Sequence, residues 1–375
     1  MQHLVLLQLS AEQHHLASSK YKITWKTLIL LPIGIVGFFV YIYLFNVDLL
    51  KIIATAQQAN LRFYLTAAIL SILDVLFFTL AWYALLRFLS VKISILKMHL
   101  FVWASIFVDT LIPGESVSGE ITKVFLVNRE QEGTTGKATA SIVAQRIISM
   151  GINLVTLIVG AVLLFIEKLF YRNETIFTLT LVLAVMIFIF LVLTLLLCFK
   201  EAWTLKIVNL IISMLERLSK KRWKLTRIKQ QVTEAAATFH NGIREYSHAP
   251  KTIIVASFLS LTSWVCGLSV YYFTLHSIGY AQLNWSAILV ISSIFIAVKS
   301  IPTGVPFEVG LPEIALSTLL ISFGVPPEIS ATATILMRLL TLWLRFFIGF
   351  AAQQIIGVKA VTTHTNGNQH VNEKP

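Results

Sequence analysis

The sequence predicts an all-α polytopic membrane protein with about six spanning helices and two re-entrant helical hairpins in an inverted repeat. Three observations predict this class. Of the 375 residues, 57% are hydrophobic and 13% are charged, several apolar runs are long enough to span a bilayer, and two shorter runs are interrupted by proline and glycine. Soluble domains carry roughly 45–50% apolar and about 25% charged residues. The composition therefore excludes a soluble globular protein.

The spanning helices follow from the lengths of the apolar runs. A helix needs about 20 mostly apolar residues to cross ~30 Å of hydrocarbon. Runs of this kind occupy residues 27–45, 61–86, 138–166, 174–199, 252–276 and 331–356. We expect one membrane domain over residues 25–357, between a cytoplasmic N-terminal tail (1–24) and a disordered, polar cytoplasmic tail (358–375).

Basic residues predict the orientation of the chain. The net charge of +12 does not indicate nucleic acid as a partner, because lysine and arginine concentrate in the connections between apolar runs, above all in residues 200–250. Positive connections stay in the cytoplasm, and their distribution agrees with both termini lying inside the cell (inner) membrane. The connector itself has apolar residues at helical spacing. It predicts amphipathic helices that either lie on the cytoplasmic leaflet or simply join the two halves.

Two breaks interrupt apolar sequence half a chain apart. Each break has a short apolar run before it (98–112 and 286–301) and a second short run after it. The residues of interest are Pro113, Gly114, Gly119 and Glu120 at the first break, and Pro302, Thr303, Gly304, Glu308, Gly310 and Glu313 at the second. Two short limbs around a break are typical of a re-entrant hairpin. Two full spans would give the same distribution of charge, so charge alone does not separate these interpretations.

The breaks belong to a larger duplication. Residues 61–166 contain a span, a broken segment and a span, and residues 252–356 repeat that order. The motifs Thr-Ala-Ser-Ile and Thr-Ala-Thr-Ile precede Arg146 and Arg338, which are 192 positions apart. Three crossings separate the starts of the two units, so the second unit is expected to be inverted, as in many secondary transporters.

Charged residues inside the apolar runs are the candidates for a substrate-binding site. A charge in a bilayer costs about 2.5–3.5 kcal/mol on insertion scales, so Arg146 and Arg338 each require a partner. Glu120 and Glu313 precede them by 26 and 25 residues. One hypothesis is a Glu–Arg lock in each repeat. The other is that the arginines bind a lipid phosphate, and both can hold at different stages of transport.

Further candidates surround the breaks. The limbs that begin near residues 116–118 and 307–310 present helix N-termini, whose free N–H groups favour anions. If the two tips meet near the midplane, they predict a headgroup site. Asp109 and Lys299 flank the breaks, and each is a candidate to neutralise the other. Asp74, in mid-span, is either a proton-coupling carboxylate or a satisfied buried acid.

The pattern of Pro113-Gly114, Gly119-Glu120 and Ala140 to Arg146, with its second copy, resembles the lysylphosphatidylglycerol synthase transmembrane (flippase-like) family over about residues 25–356. Members include the flippase half of the multiple peptide resistance factor and the membrane part of some archaeal dolichol-phosphate glycosyltransferases. The resemblance implies lipid translocation. The soluble aminoacyl- or glycosyl-transferase domain does not occur in the sequence, so we expect no such activity.

The predicted function is therefore a lipid flippase-like transporter that moves a phospholipid or polyprenyl-phosphate-linked lipid between leaflets. The alternative is an integral membrane transferase acting on a lipid-linked substrate such as phosphatidylglycerol or dolichol phosphate, or a subunit that partners a separately encoded glycosyl- or aminoacyl-transferase. We predict no catalytic residues, metal or cofactor, because the chain has no Cys/His cluster with zinc spacing and no glycine-rich phosphate loop.

Overall fold

The computed structural model describes residues 57–112, 117–167, 174–201, 226–300 and 310–369, with isolated positions at 54, 203, 204, 206 and 210. Eleven α-helices lie wholly inside these ranges, and no residue in them belongs to a β-strand. In chain order the helices are α1 Leu61–Phe88, α2 Ile95–Leu111, α3 Val117–Glu130, α4 Thr135–Ile166, α5 Glu174–Phe199, α6 Thr226–Ser247, α7 Pro250–Ser277, α8 Trp285–Lys299, α9 Leu311–Ser322, α10 Pro327–Arg338 and α11 Leu344–Gln369, with a π-helical turn at Leu339–Trp343 between the last two.

Five helical segments have the length and composition to cross a membrane. They are Leu61–Phe88, Thr135–Ile166, Ile176–Phe199, Pro250–Ser277 and Pro327–Gly357. They coincide with five of the six predicted spans, which confirms the all-α polytopic membrane class. The remaining predicted span, 27–45, lies outside the described residues. The final helix continues to Gln369, past the predicted start of the C-terminal tail at residue 358.

The broken segments contain four shorter helices. α2 and α8 have 17 and 15 residues, and α3 and α9 have 14 and 12. At 1.5 Å per residue even α2 is only about 25 Å long. Pro113, Gly114, Pro302, Thr303, Gly304 and Glu308 all lie outside the described residues. That each pair of limbs turns back inside the membrane stays a prediction.

Local sequence explains where these helices begin. Asn60 accepts a hydrogen bond from the amide of Arg62 at the start of α1, and the hydroxyl of Ser94 accepts one from the amide of Lys97 at the start of α2. Both are preferred N-cap residues. At the start of α9, Gly310 has a φ of 104°, a conformation that favours glycine. Its amide donates to Glu313 Oε2 at 2.7 Å, so a carboxylate caps this helix.

The two halves pack reciprocally. α1 of the first half runs along α7 of the second. The first limb of each broken segment packs on the last span of the other half, α2 on α11 and α8 on α4. Glycine permits both crossings, because a Cβ on Gly349 would lie 2.5 Å from the Trp103 carbonyl and one on Gly160 would lie 2.9 Å from Val290 Cγ2. These two glycines are 189 positions apart. The packing is that expected of two copies of one structural unit.

The connector helix α6 packs on α4, α5 and α7. Ile243 and Tyr246 are buried in a cluster with residues of α1 and α4, and the Tyr246 hydroxyl donates to the Leu85 carbonyl at 2.9 Å. The apolar face that the sequence predicts for this segment therefore contacts protein. The preceding part of the connector lies mostly outside the described residues.

Candidate functional site

A cavity of about 740 Å³ lies among α1 to α5, the end of α8 and α11. It lies inside a bundle of membrane helices and contains charged groups of both signs. Three acids and three bases line it: Asp74, Asp109, Glu120, Lys123, Arg146 and Arg345. Such charges are tolerated at membrane depth where they pair or face water. The cavity is the candidate functional site of the described residues.

The first Glu–Arg pair borders this cavity. Arg146 Nη1 donates to Glu120 Oε1 at 2.8 Å, joining α4 to the first turn of α3. The two side chains remain 37% and 27% exposed. This contact uses one of the five N–H donors of Arg146. The pair thus forms as the sequence predicts, and its arginine can still donate to a ligand.

The second pair has the same chemistry in a closed setting. Arg338 Nε donates to Glu313 Oε1 at 2.6 Å, and the two side chains are only 5% and 6% exposed. The other carboxylate oxygen of Glu313 caps α9. Neither residue lines the cavity. Both predicted locks are therefore present, but only the first lies where a ligand can reach it. A substrate contact by Arg338 stays a prediction.

The predicted anion site at the helix N-termini is occupied by protein carboxylates at the amides that the structure describes. Asp109 Oδ1 accepts hydrogen bonds from the Ser118 hydroxyl at 2.6 Å and from the Gly119 amide at 3.2 Å. Glu313 plays the equivalent part at Gly310. Each acid thus complements the positive end of a helix. The proposed neutralisation of Asp109 by Lys299 stays a prediction.

Asp74 is fully engaged by hydrogen-bond donors. Arg345 Nη2 donates to Asp74 Oδ2 at 2.7 Å, and the Ser263 hydroxyl donates to Oδ1 at 2.5 Å. Arg345 also donates to the hydroxyl and carbonyl of Ser71. These contacts are those expected of a satisfied buried acid, and proton coupling at Asp74 stays a prediction. Sequence reasoning missed Arg345, although a second arginine seven residues after Arg338 in the same apolar run was a visible signal.

Lys123 is the other cavity residue that sequence reasoning missed. It is 7% exposed, and its ammonium lies 5.2 Å from the Phe78 ring and 5.3 Å from the Trp82 ring. Its position three residues after Glu120, on the same face of a helix, was the available signal.

The walls of the cavity differ in polarity. On α4, the cavity-lining residues Arg146, Ser149 and Asn153 form a polar stripe, and Asn153 Oδ1 is buried without a hydrogen-bond partner in the described part of the chain. On α5, the lining residues are all apolar: Leu183, Met186, Ile187 and Phe190. Both sets follow helical spacing, so each occupies one face of its helix. We call these the polar wall and the apolar wall.

Within the described ranges, no group of three His, Cys, Asp or Glu side chains is placed to hold a metal ion. Cys198 and Cys266 are both buried free thiols. The arrangement offers charge, hydrogen bonds and an apolar surface, which are the means of binding an amphiphile.

Comparison with known proteins identifies the family. The family model described as the lysylphosphatidylglycerol synthase TM region matches residues 29–349. A UPF0104 membrane protein of Pyrococcus horikoshii is 22% identical over 327 residues, covering 86% of this chain and 95% of the relative. UPF0104 membrane proteins of Methanocaldococcus jannaschii (21% over 347 residues, 90% and 96% covered) and Methanothermobacter thermautotrophicus (23% over 339 residues, 88% and 96% covered) are also similar. No solved structure matches. The chain belongs to the lysylphosphatidylglycerol synthase TM region family.

Proposed function

We propose that the protein is a lipid flippase-like transporter of the cytoplasmic membrane, with both termini in the cytoplasm. It moves a phospholipid or a polyprenyl-phosphate-linked lipid between leaflets. The lipid head occupies the cavity against the polar wall, and the hydrocarbon chains lie along the apolar wall. The two broken segments act as re-entrant hairpins that approach the membrane midplane from opposite faces.

One observation carries the proposal: the cavity presents a polar wall on α4 and an apolar wall on α5. A water-soluble substrate would not require an apolar wall of four side chains, and a purely apolar substrate would not require six charges. Two members of the apolar wall, Met186 and Phe190, are also more than half exposed, and only 6% of the apolar window of the α5 span is buried inside the protein. An amphiphile can therefore keep its chains at the lipid boundary while its head enters the cavity.

The difference between the two Glu–Arg pairs supports alternating access. The pair of the first half borders the cavity, whereas the pair of the second half is buried. In a protein built from inverted repeats, the two halves can exchange conformations, which moves access from one side of the membrane to the other. We propose that in the opposite state Glu313 and Arg338 border the cavity and Glu120 and Arg146 are closed.

The test is leaflet exchange in proteoliposomes. Lipids with fluorescent tails and a polyprenyl-phosphate analogue are placed in both leaflets, and a membrane-impermeant quencher reports exposure with time, with and without a pH gradient. Arg146→Gln removes the charge of the cavity pair. Arg87→Gln, at an exposed arginine of α1 outside the cavity, is the matched control. We expect a loss of at least about tenfold in rate for Arg146→Gln, on the scale of one charged hydrogen bond, and wild-type exchange for the control.

Folded wild-type protein that exchanges none of these lipids would refute the proposal. That result would favour the alternative function, a membrane transferase or its partner subunit. Equal rates in the wild type and Arg146→Gln would place the lipid path away from the cavity.

A further inference from the structure

We infer that the cavity is an anion site centred on Lys123, and that the head it takes is an anionic phosphate ester and not a zwitterionic head. This inference deepens the proposed function and rests on it for the source of the phosphate, a lipid. It assigns a new residue and a substrate class to the cavity.

The first step is the state of the Lys123 side chain. It is buried in protein, faces the cavity, and is stacked near the rings of Phe78 and Trp82. The described residues provide no hydrogen-bond acceptor or carboxylate within ion-pair distance of its ammonium. A buried charge is normally paired, because desolvation costs several kcal/mol. Aromatic rings compensate only a small part of that cost.

The second step is the state of the other charges in the cavity. Arg146 is bound to Glu120, and Arg345 is bound to Asp74. Asp109 accepts two hydrogen bonds at the start of α3. Each acid therefore already has contacts with donors. Of the described residues that line the cavity, Lys123 is the cation with no carboxylate within ion-pair distance, so an incoming anion does not have to displace an internal ion pair there.

The third step is the set of donors around that position. Arg146 lines the same cavity as Lys123, and its remaining N–H groups are uncommitted in the described structure. A phosphate oxygen bound by an ammonium on one side and a guanidinium on the other is a common arrangement. Farther along the polar wall, Ser149 and Asn153 provide neutral polar groups for hydroxyls of the head.

The charge class follows from these positions. An amine attached to the phosphate would need a carboxylate partner, and each of the three cavity acids already accepts hydrogen bonds from protein donors: Glu120 from Arg146, Asp74 from Arg345, and Asp109 from Ser118 and Gly119. A phosphate ester with a neutral polyol, or a polyprenyl phosphate, has no such requirement. We therefore expect the cavity to prefer an anionic head over a zwitterionic head with the same chains.

The experiment measures equilibrium binding to the purified full chain in detergent by fluorescence anisotropy. The probes are phosphatidylglycerol, phosphatidylcholine and diacylglycerol that carry the same short fluorescent tail. The variants are Lys123→Gln, Lys123→Met and Lys123→Arg. Met keeps the aliphatic stem against the two rings, which guards against misfolding of the Gln variant, and Arg keeps the charge. Lys92→Gln, an exposed lysine outside the cavity, is the matched control.

For the wild type and Lys92→Gln, we expect phosphatidylglycerol to bind at least about tenfold more tightly than diacylglycerol, the scale of one charged hydrogen bond. Lys123→Gln and Lys123→Met should lose this difference while binding diacylglycerol as before, and Lys123→Arg should keep most of it. Equal affinity of folded Lys123→Met and wild type for phosphatidylglycerol would overturn the inference. So would a preference for phosphatidylcholine.

Two further readouts separate the sources of the phosphate and the two proposals. Displacement of the probe by millimolar inorganic phosphate would assign the site to a soluble phosphate compound and overturn the lipid source. Retention of the probe supports a lipid-borne phosphate. Binding that depends on Lys123 without leaflet exchange would refute the proposed transport and leave the anion site standing. Leaflet exchange that is unchanged in Lys123→Met would refute the anion site and leave the proposed transport standing.

Discussion

The contrast between the two Glu–Arg pairs makes a quantitative prediction about stability. The perturbation is the same in both halves, Arg146→Met and Arg338→Met. Each substitution removes a guanidinium and leaves its glutamate without the cationic partner. The pairs have similar bond lengths, 2.8 and 2.6 Å, and differ mainly in burial, although Glu313 also accepts the Gly310 amide at the start of α9.

The expected magnitudes follow from that burial. Glu313 and Arg338 are about 5% exposed, and removal of one partner of a buried pair costs about 3–5 kcal/mol, because an uncompensated charge remains. Glu120 and Arg146 border a cavity and are 27% and 37% exposed, and pairs in contact with water contribute about 0–1 kcal/mol. Arg338→Met should therefore lower the free energy of unfolding by at least about 2 kcal/mol more than Arg146→Met.

The assay is equilibrium unfolding in mixed micelles, followed by far-ultraviolet circular dichroism. The double variant Arg338→Met/Glu313→Gln serves as the control, because it removes both charges and keeps an oxygen that can accept the Gly310 amide. We expect it to recover to within about 1 kcal/mol of the wild type, as neutral replacements of buried pairs usually do. Equal losses in the free energy of unfolding for Arg146→Met and Arg338→Met would refute the reasoning, because the difference in burial between the two pairs would then have no effect on stability.

Two further predictions concern packing and coupling. Gly349→Ala should cost about 1–3 kcal/mol, because the added Cβ meets the Trp103 carbonyl at 2.5 Å, whereas Gly151→Ala, which meets nothing within 4 Å, should be neutral or slightly stabilising; equal unfolding midpoints would contradict this. If Asp74 is only a satisfied acid, Asp74→Asn in refolded proteoliposomes should leave the response of lipid exchange to a pH gradient unchanged; loss of that response would establish proton coupling.

Most of the secondary structure could be predicted from local sequence. Five predicted spans agree with helices to within a few residues, because apolar length and helix-breaking residues act locally. The two Glu–Arg pairs could also be predicted. A charge placed in an apolar run requires a partner nearby, and the first turn of the preceding limb offers a carboxylate in both halves.

The residues themselves thus determine the class, the spans and the chemistry available to the site. Only the tertiary structure decides which charges share a cavity. Lys123 in the sequence is an ordinary basic residue near a connection, and its burial over Phe78 and Trp82 depends on how α3 packs on α2 and α4. The pairing of Asp74 with Arg345, 271 positions away, likewise requires the two halves to meet. The physical reason is that the free-energy cost of a charge, and its availability to bind a ligand, depend on the solvent access, aromatic rings and dipoles around it. Distant parts of the chain determine these surroundings.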